Sequence, residues 1–187
     1  MIKRIFDFSV SIISLIILSP PMLAIAVATK LSSDGPVLFW SDRVGLNNKL
    51  FRMPKFRTMR LGTPNVATHL LSNSDEYRTA IGPFLRKYSL DELPQLFSIL
   101  VGDMSFVGPR PALYNQDDLI SLRTQYRIHK VMPGLTGWAQ VNGRDDIPIS
   151  TKAEYDQEYA MKQNFWFDLK ILWITFLKVV TKSNISH

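Results

Sequence analysis

The sequence predicts a helix-dominated α+β fold held at a membrane, and three stretches carry that prediction. From Phe8 to Thr29 there is no charged residue. At ~1.5 Å per residue in a helix, that run is long and apolar enough to cross a bilayer. Between Val37 and Met53, short apolar runs flank turn residues, the pattern of a small β-hairpin. Around Leu93–Val101 and Asn164–Lys182, apolar residues recur at helical spacing.

The chain has 187 residues, enough for one domain with a core. It carries 22 Lys and Arg against 16 Asp and Glu, a formal charge of +6. That balance suits anionic partners such as phosphate-rich substrates, anionic lipid or nucleic acid. No groove-reading or base-stacking motif supports nucleic acid, so no nucleic-acid partner is expected. There is no cysteine, which excludes disulfides, thiolate metal sites and a Cys nucleophile.

The N-terminal apolar segment lacks a small-residue cleavage site, so it is expected to be retained. Pro20 and Pro21 follow Ser19 near its middle, and each removes a backbone donor, which predicts a break or sharp bend. Lys3 and Arg4 precede the segment and Lys30 and Arg43 follow it, so the positive-inside bias favours both ends on the cytoplasmic face. A helix–break–helix that enters one leaflet and returns meets both conditions. One kinked spanning helix is the alternative, and a buried core helix a third. The residues alone leave re-entrant and spanning equally open.

Ser33–Pro36 is a turn, Val37–Trp40 a short strand, Asp42–Lys49 a hairpin-like turn, and Leu50–Met53 a second strand. If Lys55–Met59 is extended, Lys55 and Arg57 share a face, either lining a phosphate site or forming a solvated basic edge. Gly62–Asn65 and Asn73–Asp75 read as loop. His69 has no neighbour at metal-ligand spacing and is expected on the surface or packed. Arg86 and Lys87 bring cations just ahead of the acidic pair Asp91 and Glu92.

Ser89 and Glu92 have the spacing of a capping box, while Pro94 favours a helix start nearer Asp91. Either start sets Asp91 and Glu92 at a helix N-terminus, where the dipole favours ionised carboxylates. Adjacent helical residues point about 100° apart, so the two acids have different surroundings. An ionised Asp can attack phosphorus or bind Mg²⁺ through oxygen. The plain alternative is two dipole partners. Leu93, Leu96, Phe97, Leu100 and Val101 form the expected apolar face, and Gly102 the stop. Beyond it, Arg110 lies between Pro109 and Pro111, a restricted backbone suited to a preorganised phosphate donor.

Asn115–Ile128 reads as a helix with Leu119, Leu122 and Tyr126 on one face. Pro133–Gly137 is a tight turn and Trp138–Val141 is short and extended. Asn142-Gly143 is a turn before Arg144-Asp145-Asp146, and this Gly-rich loop either admits a nucleotide to its amides or is a turn alone. Thr151–Met161 is a helix on which Asp156 is expected at the surface, with pairing to an active-site arginine as the alternative. In Asn164–Lys182, the residues Trp166, Leu169, Trp173, Phe176, Leu177 and Val180 oppose Lys170, Lys178 and Lys182. That pattern suits a helix lying at a membrane surface.

Four motifs stand in order: Lys55-Phe-Arg57-Thr-Met59, Ser89-Leu-Asp91-Glu92-Leu-Pro-Gln-Leu, Gly102-Asp-Met-Ser-Phe-Val-Gly-Pro-Arg110-Pro, and Pro133-Gly-Leu-Thr-Gly-Trp-Ala-Gln140-Val-Asn-Gly143-Arg144. With them, essentially the whole chain resembles the bacterial sugar transferase family, the small monotopic phosphoglycosyl transferases. The resemblance implies transfer of a phospho-sugar from a UDP-sugar to polyprenyl (undecaprenyl) phosphate with release of UMP. That step begins a lipid-linked glycan at the cytoplasmic face of the bacterial inner membrane. It implies that Asp91 is the nucleophile of a covalent phosphosugar intermediate, with Mg²⁺ bound near it and Glu92 assisting. Lys55, Arg57, Arg86, Arg110, Arg144 and Gln140 are the matching candidates for substrate and phosphate contacts. The Ser19-Pro20 break implies a re-entrant helix over residues 1–30 and a cytoplasmic catalytic domain over residues 31–187 on the membrane face. Expected partners are UDP-sugar, polyprenyl phosphate and membrane lipid, with a homodimer left open. A membrane-anchored, non-catalytic anion- or nucleotide-binding module is the alternative. It would gain nothing from two carboxylates among the cations.

Overall fold

The computed structural model describes residues 1–64, 76–143 and 147–181. Its longest element is helix α1, Ile2–Ser32, which contains Pro20 and Pro21. The helix assignment runs through Ser19, Pro20 and Pro21 without a gap, so the expected break does not take the form of a loop. Pro20 has no N–H for the carbonyl of Ile16, and the Ser19 hydroxyl donates to that carbonyl instead, at 2.8 Å. Much of α1 is uncovered, with Ile13, Ile16, Ile17, Leu23 and Val27 exposed. Leu15 and Leu18 pack against a core of Met53, Leu96, Ile99 and Met104.

Both ends of α1 are fastened to the same body. Near its start, Lys3 Nζ donates to the Val107 carbonyl at 2.9 Å and pairs with Asp168 at 2.5 Å. Arg4 donates to the carbonyls of Ile99 and Leu100 at 2.6 and 2.7 Å, and Asp7 accepts from the Phe106 N–H at 3.1 Å. At the far end, the Arg57 guanidinium donates to the carbonyls of Asp34 and Ser33 at 2.5 and 2.8 Å.

The expected hairpin is present and longer than foreseen. Strands β1, Leu38–Val44, and β2, Leu50–Phe56, pair antiparallel from Leu38↔Phe56 to Val44↔Leu50. Asn47 and Asn48 make the turn at φ 55° and 60°. Asn tolerates that left-handed region because its short side chain can bond locally.

After β2 come helix α2, Gly82–Lys87, a 3₁₀ turn over Leu90–Glu92, and helix α3, Gln95–Val101. The inward side of α3 is Gln95, Leu96, Ser98 and Ile99, while Phe97 and Val101 are exposed. The expected apolar face is therefore turned outward in part: α3 lies against α1, and the side between them takes the core.

Two three-residue strands, β3, Ser105–Val107, and β4, Gly134–Thr136, pair in parallel where loops were expected. Three residues are too few for a visible alternation. The pairing depends on close backbone approach: a Cβ on Gly134 would stand 2.1 Å from the Gly108 nitrogen.

Helix α4 is Asp117–Gln125, and helix α5, Trp138–Asn142, replaces the extended run expected there. Helix α6, Ile149–Lys162, is followed by helix α7, Phe165–Val180, whose N-cap Asn164 accepts from the Phe167 N–H at 2.9 Å. A second core of Val107, Val141, Tyr159 and Ile171 lies between α5, α6, α7 and β3. Phe167 and Ile174, which interrupt the polar side of α7 in sequence, pack on this core. Trp166, Trp173, Phe176, Leu177 and Val180 stay exposed, as the amphipathic pattern requires. Lys178 turns to the α5 end and donates to the Val141 carbonyl at 2.7 Å. Lys182 lies outside the described residues.

Candidate active site

A cavity of about 920 Å³ opens between the hairpin, the 3₁₀ turn, β4 and α7. Lys55, Arg86, Asp91, Glu92, Arg110 and Gln140 all line it, so the fold brings these six sequence candidates to one cavity. Apolar side chains from α1 and α7, including Leu18, Leu172 and Val179, line it as well.

The acids do not sit in the first turn of an α-helix, nor does Ser89 cap one. Ser89 is left-handed at φ 54° with no side-chain capping bond, and Asp91 and Glu92 occupy the separate 3₁₀ turn. Pro94 stands at the N-cap of α3 and cannot donate the bond that would merge turn and helix. What holds Glu92 is charge pairing rather than a helix dipole.

Glu92 is fully committed. Its Oε1 accepts from Lys55 Nζ at 2.7 Å and from Arg110 Nη2 at 2.5 Å, and Arg110 Nη1 reaches Oε2 at 3.4 Å. Burial alone would raise its pKa, but Arg110 and Lys55 outweigh burial and hold it well below the ordinary glutamate range. Burial lowers the Lys55 pKa, and Glu92 offsets part of that shift.

Asp91 is different in kind. It is buried yet has no hydrogen bond or ion pair among the described residues, and its carboxylate lines the cavity. Burial raises its pKa, opposed first by Lys55, with Glu92 adding to the rise. Two adjacent carboxylates therefore separate into one stably ionised and tied down, and one poised and uncommitted, as in sites that assign two roles to two acids.

Arg110 owes its place to its backbone. Neither flanking proline can donate, so the loop is anchored through its carbonyls. The Pro109 carbonyl accepts from Gly134 N at 2.9 Å and that of Ala112 from Val44 N at 3.0 Å. Arg43 donates to the Pro111 carbonyl at 3.1 Å, and Arg123 to that of Arg110 at 2.8 Å.

The remaining candidates divide. Arg86 lines the cavity and donates to the Thr58 hydroxyl at 2.9 Å; burial lowers its pKa and Asp91 opposes that. Arg57 also reaches the cavity, but its guanidinium is given to Ser33 and Asp34, so it does not act beside Lys55 as a matched pair. Gln140 donates to the Leu135 carbonyl at 3.3 Å, and its buried Oε1 has no partner. Arg144, Asp145, Asp146 and His69 lie outside the described residues. Sequence reasoning did not single out Arg43 or Arg123 for the site, and it set Asp156 at the surface. Asp156 is buried against Arg123 at 2.5 Å, which corrects that expectation. Nothing in the spacing marks these three, since their partners lie in distant segments.

Among the described residues no cluster of three His, Asp or Glu side chains gathers to hold a metal. Of the two described carboxylates that line the cavity, Asp91 is the uncommitted one. Mg²⁺ is commonly held by one or two carboxylates with substrate phosphates and waters, and that donor set fits.

The model of the bacterial sugar transferase family matches residues 1–182. The chain is similar to UDP-glucose:undecaprenyl-phosphate glucose-1-phosphate transferase of Escherichia coli K12, at 40% identity over 185 residues covering 95% of this chain and 40% of that protein. It is similar to UDP-N-acetylgalactosamine-undecaprenyl-phosphate N-acetylgalactosaminephosphotransferase of Aeromonas hydrophila, at 39% over 188 residues, 96% of this chain and 44% of that one. An uncharacterized sugar transferase of Bacillus subtilis, EpsL, is 41% identical over 187 residues, 100% of this chain and 91% of that protein. The chain thus spans about two fifths of the length of several curated relatives it matches.

The two acids should respond oppositely to neutralisation. A raised carboxyl pKa means that ionised Asp91 costs stability as pH rises toward and beyond its folded pKa. Asp91→Asn should therefore unfold at or above the wild-type temperature at neutral pH, with the advantage shrinking as the solution is acidified. The lowered pKa of Glu92 contributes stability that is present above the unfolded glutamate value and lost as pH falls through the folded one. Glu92→Gln should cost up to ~3–5 kcal/mol at neutral pH by removing the buried charge that Lys55 and Arg110 share. Thermal unfolding against pH measures both, and equal destabilisation by the two variants would contradict the division.

Proposed function

The chain belongs to the bacterial sugar transferase family, and from that premise we propose that it transfers a phospho-sugar from a UDP-sugar to undecaprenyl phosphate and releases UMP. The observation that carries the proposal is the uncommitted Asp91 carboxylate, facing a cation-lined cavity beside a Glu92 whose charge is already spent. The names of the relatives supply the substrate classes.

In the first step, an Asp91 oxygen attacks the phosphorus that bears the sugar. The bond from that phosphorus to the bridging oxygen breaks, and UMP leaves with the electron pair. The sugar phosphate is then esterified to Asp91. In the second step, a phosphate oxygen of the lipid attacks the same phosphorus, the bond to Asp91 breaks, and the polyprenyl diphosphate sugar departs. Lys55, Arg86 and Arg110 supply positive charge where phosphate charge develops, and such fixed charges in a buried site contribute much of the rate of phosphoryl transfer. Glu92 holds Lys55 and Arg110 in place and supports the entry of the second phosphate. Mg²⁺, held by Asp91 and the diphosphate, would neutralise part of the phosphate charge.

The same reading sets the protein on the bacterial inner membrane, with its site on the cytoplasmic side and α1 entering one leaflet and returning. Its support is the fastening of both ends of α1 to one folded body, through Lys3, Arg4 and Asp7 at one end and Ser33 and Asp34 at the other. A helix crossing to the far side would carry one of those ends away. The exposed Trp166, Trp173, Phe176 and Val180 of α7 give a second apolar face suited to membrane lipid.

Incubation of the purified chain with a UDP-sugar panel, Mg²⁺ and undecaprenyl phosphate should yield UMP and a polyprenyl diphosphate sugar for at least one sugar. UDP as product would replace phosphosugar transfer with glycosyl transfer, and no nucleotide product would leave a non-catalytic binding module. For topology, Ile2→Cys and Asn48→Cys, each made singly in this cysteine-free chain, should both resist an impermeant maleimide in spheroplasts and react in inverted vesicles. Labelling of Ile2→Cys from outside would make α1 a spanning helix.

A further inference from the structure

Asp156 is almost fully buried on α6, at 1% exposure, and it faces α4. Its Oδ2 accepts from Arg123 Nε at 3.0 Å and from Arg123 Nη2 at 2.5 Å. The third arm of the same guanidinium donates to the Arg110 carbonyl at 2.8 Å. Arg123 lines the cavity, while neither residue touches Asp91 or Glu92. A planar fork of donors is what this geometry uses: one group grips a carboxylate and a carbonyl at once, and an ammonium offers no such fixed fork.

We infer that Asp156 and Arg123 form a positioning pair that sets Arg110 against Glu92, so that helices α4 and α6 serve the site from behind. The Pro109–Pro111 segment has no amide to offer at either proline, so it is held through its carbonyls, and Arg110 owns one of the two gripped by side chains. Without Asp156, the Arg123 guanidinium would be a buried, unpaired cation at the edge of a cavity holding two carboxylates. It would be drawn toward the cavity carboxylates and would release the Arg110 carbonyl. A buried ion pair is a weak source of stability, since apolar replacement of both partners is often neutral or stabilising. Placement of Arg110 is what this pair supplies that a greasy pair would not.

The inference rests on Arg110 serving the transfer proposed above, and the test separates the two. The double variant Arg123→Met/Asp156→Leu, in the full chain in lipid nanodiscs, removes the pair without stranding a charge. Three quantities are read: the unfolding temperature, kcat and KM for UMP release, and hydrogen–deuterium exchange of the peptide covering residues 105–116. The variant should unfold near the wild-type temperature, exchange faster across that peptide, and lose roughly 10- to 100-fold in kcat with a smaller change in KM, the scale of a misplaced contact. Wild-type exchange in a folded variant overturns the positioning role, and wild-type kcat overturns its bearing on turnover. Absence of UMP from the wild type would sink the transfer reading, while the exchange result would still decide the positioning. If the double variant fails to fold, Arg123→Lys decides: it keeps a cation beside Asp156 but loses the fork, so slowed turnover and faster exchange are expected, and wild-type behaviour in both overturns the inference.

Discussion

The Glu92 carboxylate lies between Lys55 from the hairpin and Arg110 from the loop after β3, and the arrangement of the site follows from that triad. Three segments far apart in sequence meet at one pair of oxygens. Because the charges are largely removed from water, each would be costly alone, and together they hold one another ionised. The triad also answers why two neighbouring acids behave differently. Lys55 and Arg110 are taken by Glu92, so Asp91 keeps its oxygens for a ligand, at the cost of a burial that disfavours its charge. A phosphate or a divalent cation arriving at Asp91 would meet a carboxylate with few competing bonds.

The long apolar helix α1 belongs to the same construction. Lys3 is bound to the Val107 carbonyl at the end of β3, just before the Pro109–Pro111 segment, and to Asp168 of α7, which also accepts from Tyr159 at 2.7 Å. Arg57 closes the other end of α1 next to the β2 residues that present Lys55. The apolar segment is thus tied at both ends to the elements that line the cavity, and its middle, through Leu18, contributes to the cavity itself.

Much of this was legible in the chain, and the failures have physical causes. The hairpin showed because two apolar runs flank Asn-rich turn chemistry, and α7 showed because its stripe repeats over four turns. Asp91 and Glu92 stand out through the family resemblance and Arg110 through its rigid Pro-Arg-Pro context, and all three line one cavity. The acids precede the α-helix instead of opening it, because Pro94 at the α3 N-cap separates helix from 3₁₀ turn. The parallel pair β3 and β4 was hidden: six residues bring no periodicity, and the deciding feature is how closely Gly108 and Gly134 approach. Asp156 looked like a surface acid because its partner Arg123 is 33 residues away, a separation no local pattern reports. Pro20 and Pro21 point to a break, yet both lie within the assigned α1, where the Ser19 hydroxyl donates to the carbonyl that Pro20 leaves without an N–H.

The division between a committed Glu92 and an uncommitted Asp91 is tested most directly by finding where the sugar phosphate rests. The protein would be treated with a UDP-sugar and Mg²⁺ in the absence of lipid acceptor, quenched, digested and read by tandem mass spectrometry. A hexose-phosphate or related adduct localised to Asp91, lost on addition of undecaprenyl phosphate, is the predicted result. An adduct on Glu92, or turnover to a polyprenyl diphosphate sugar with no protein adduct at any time, would contradict it.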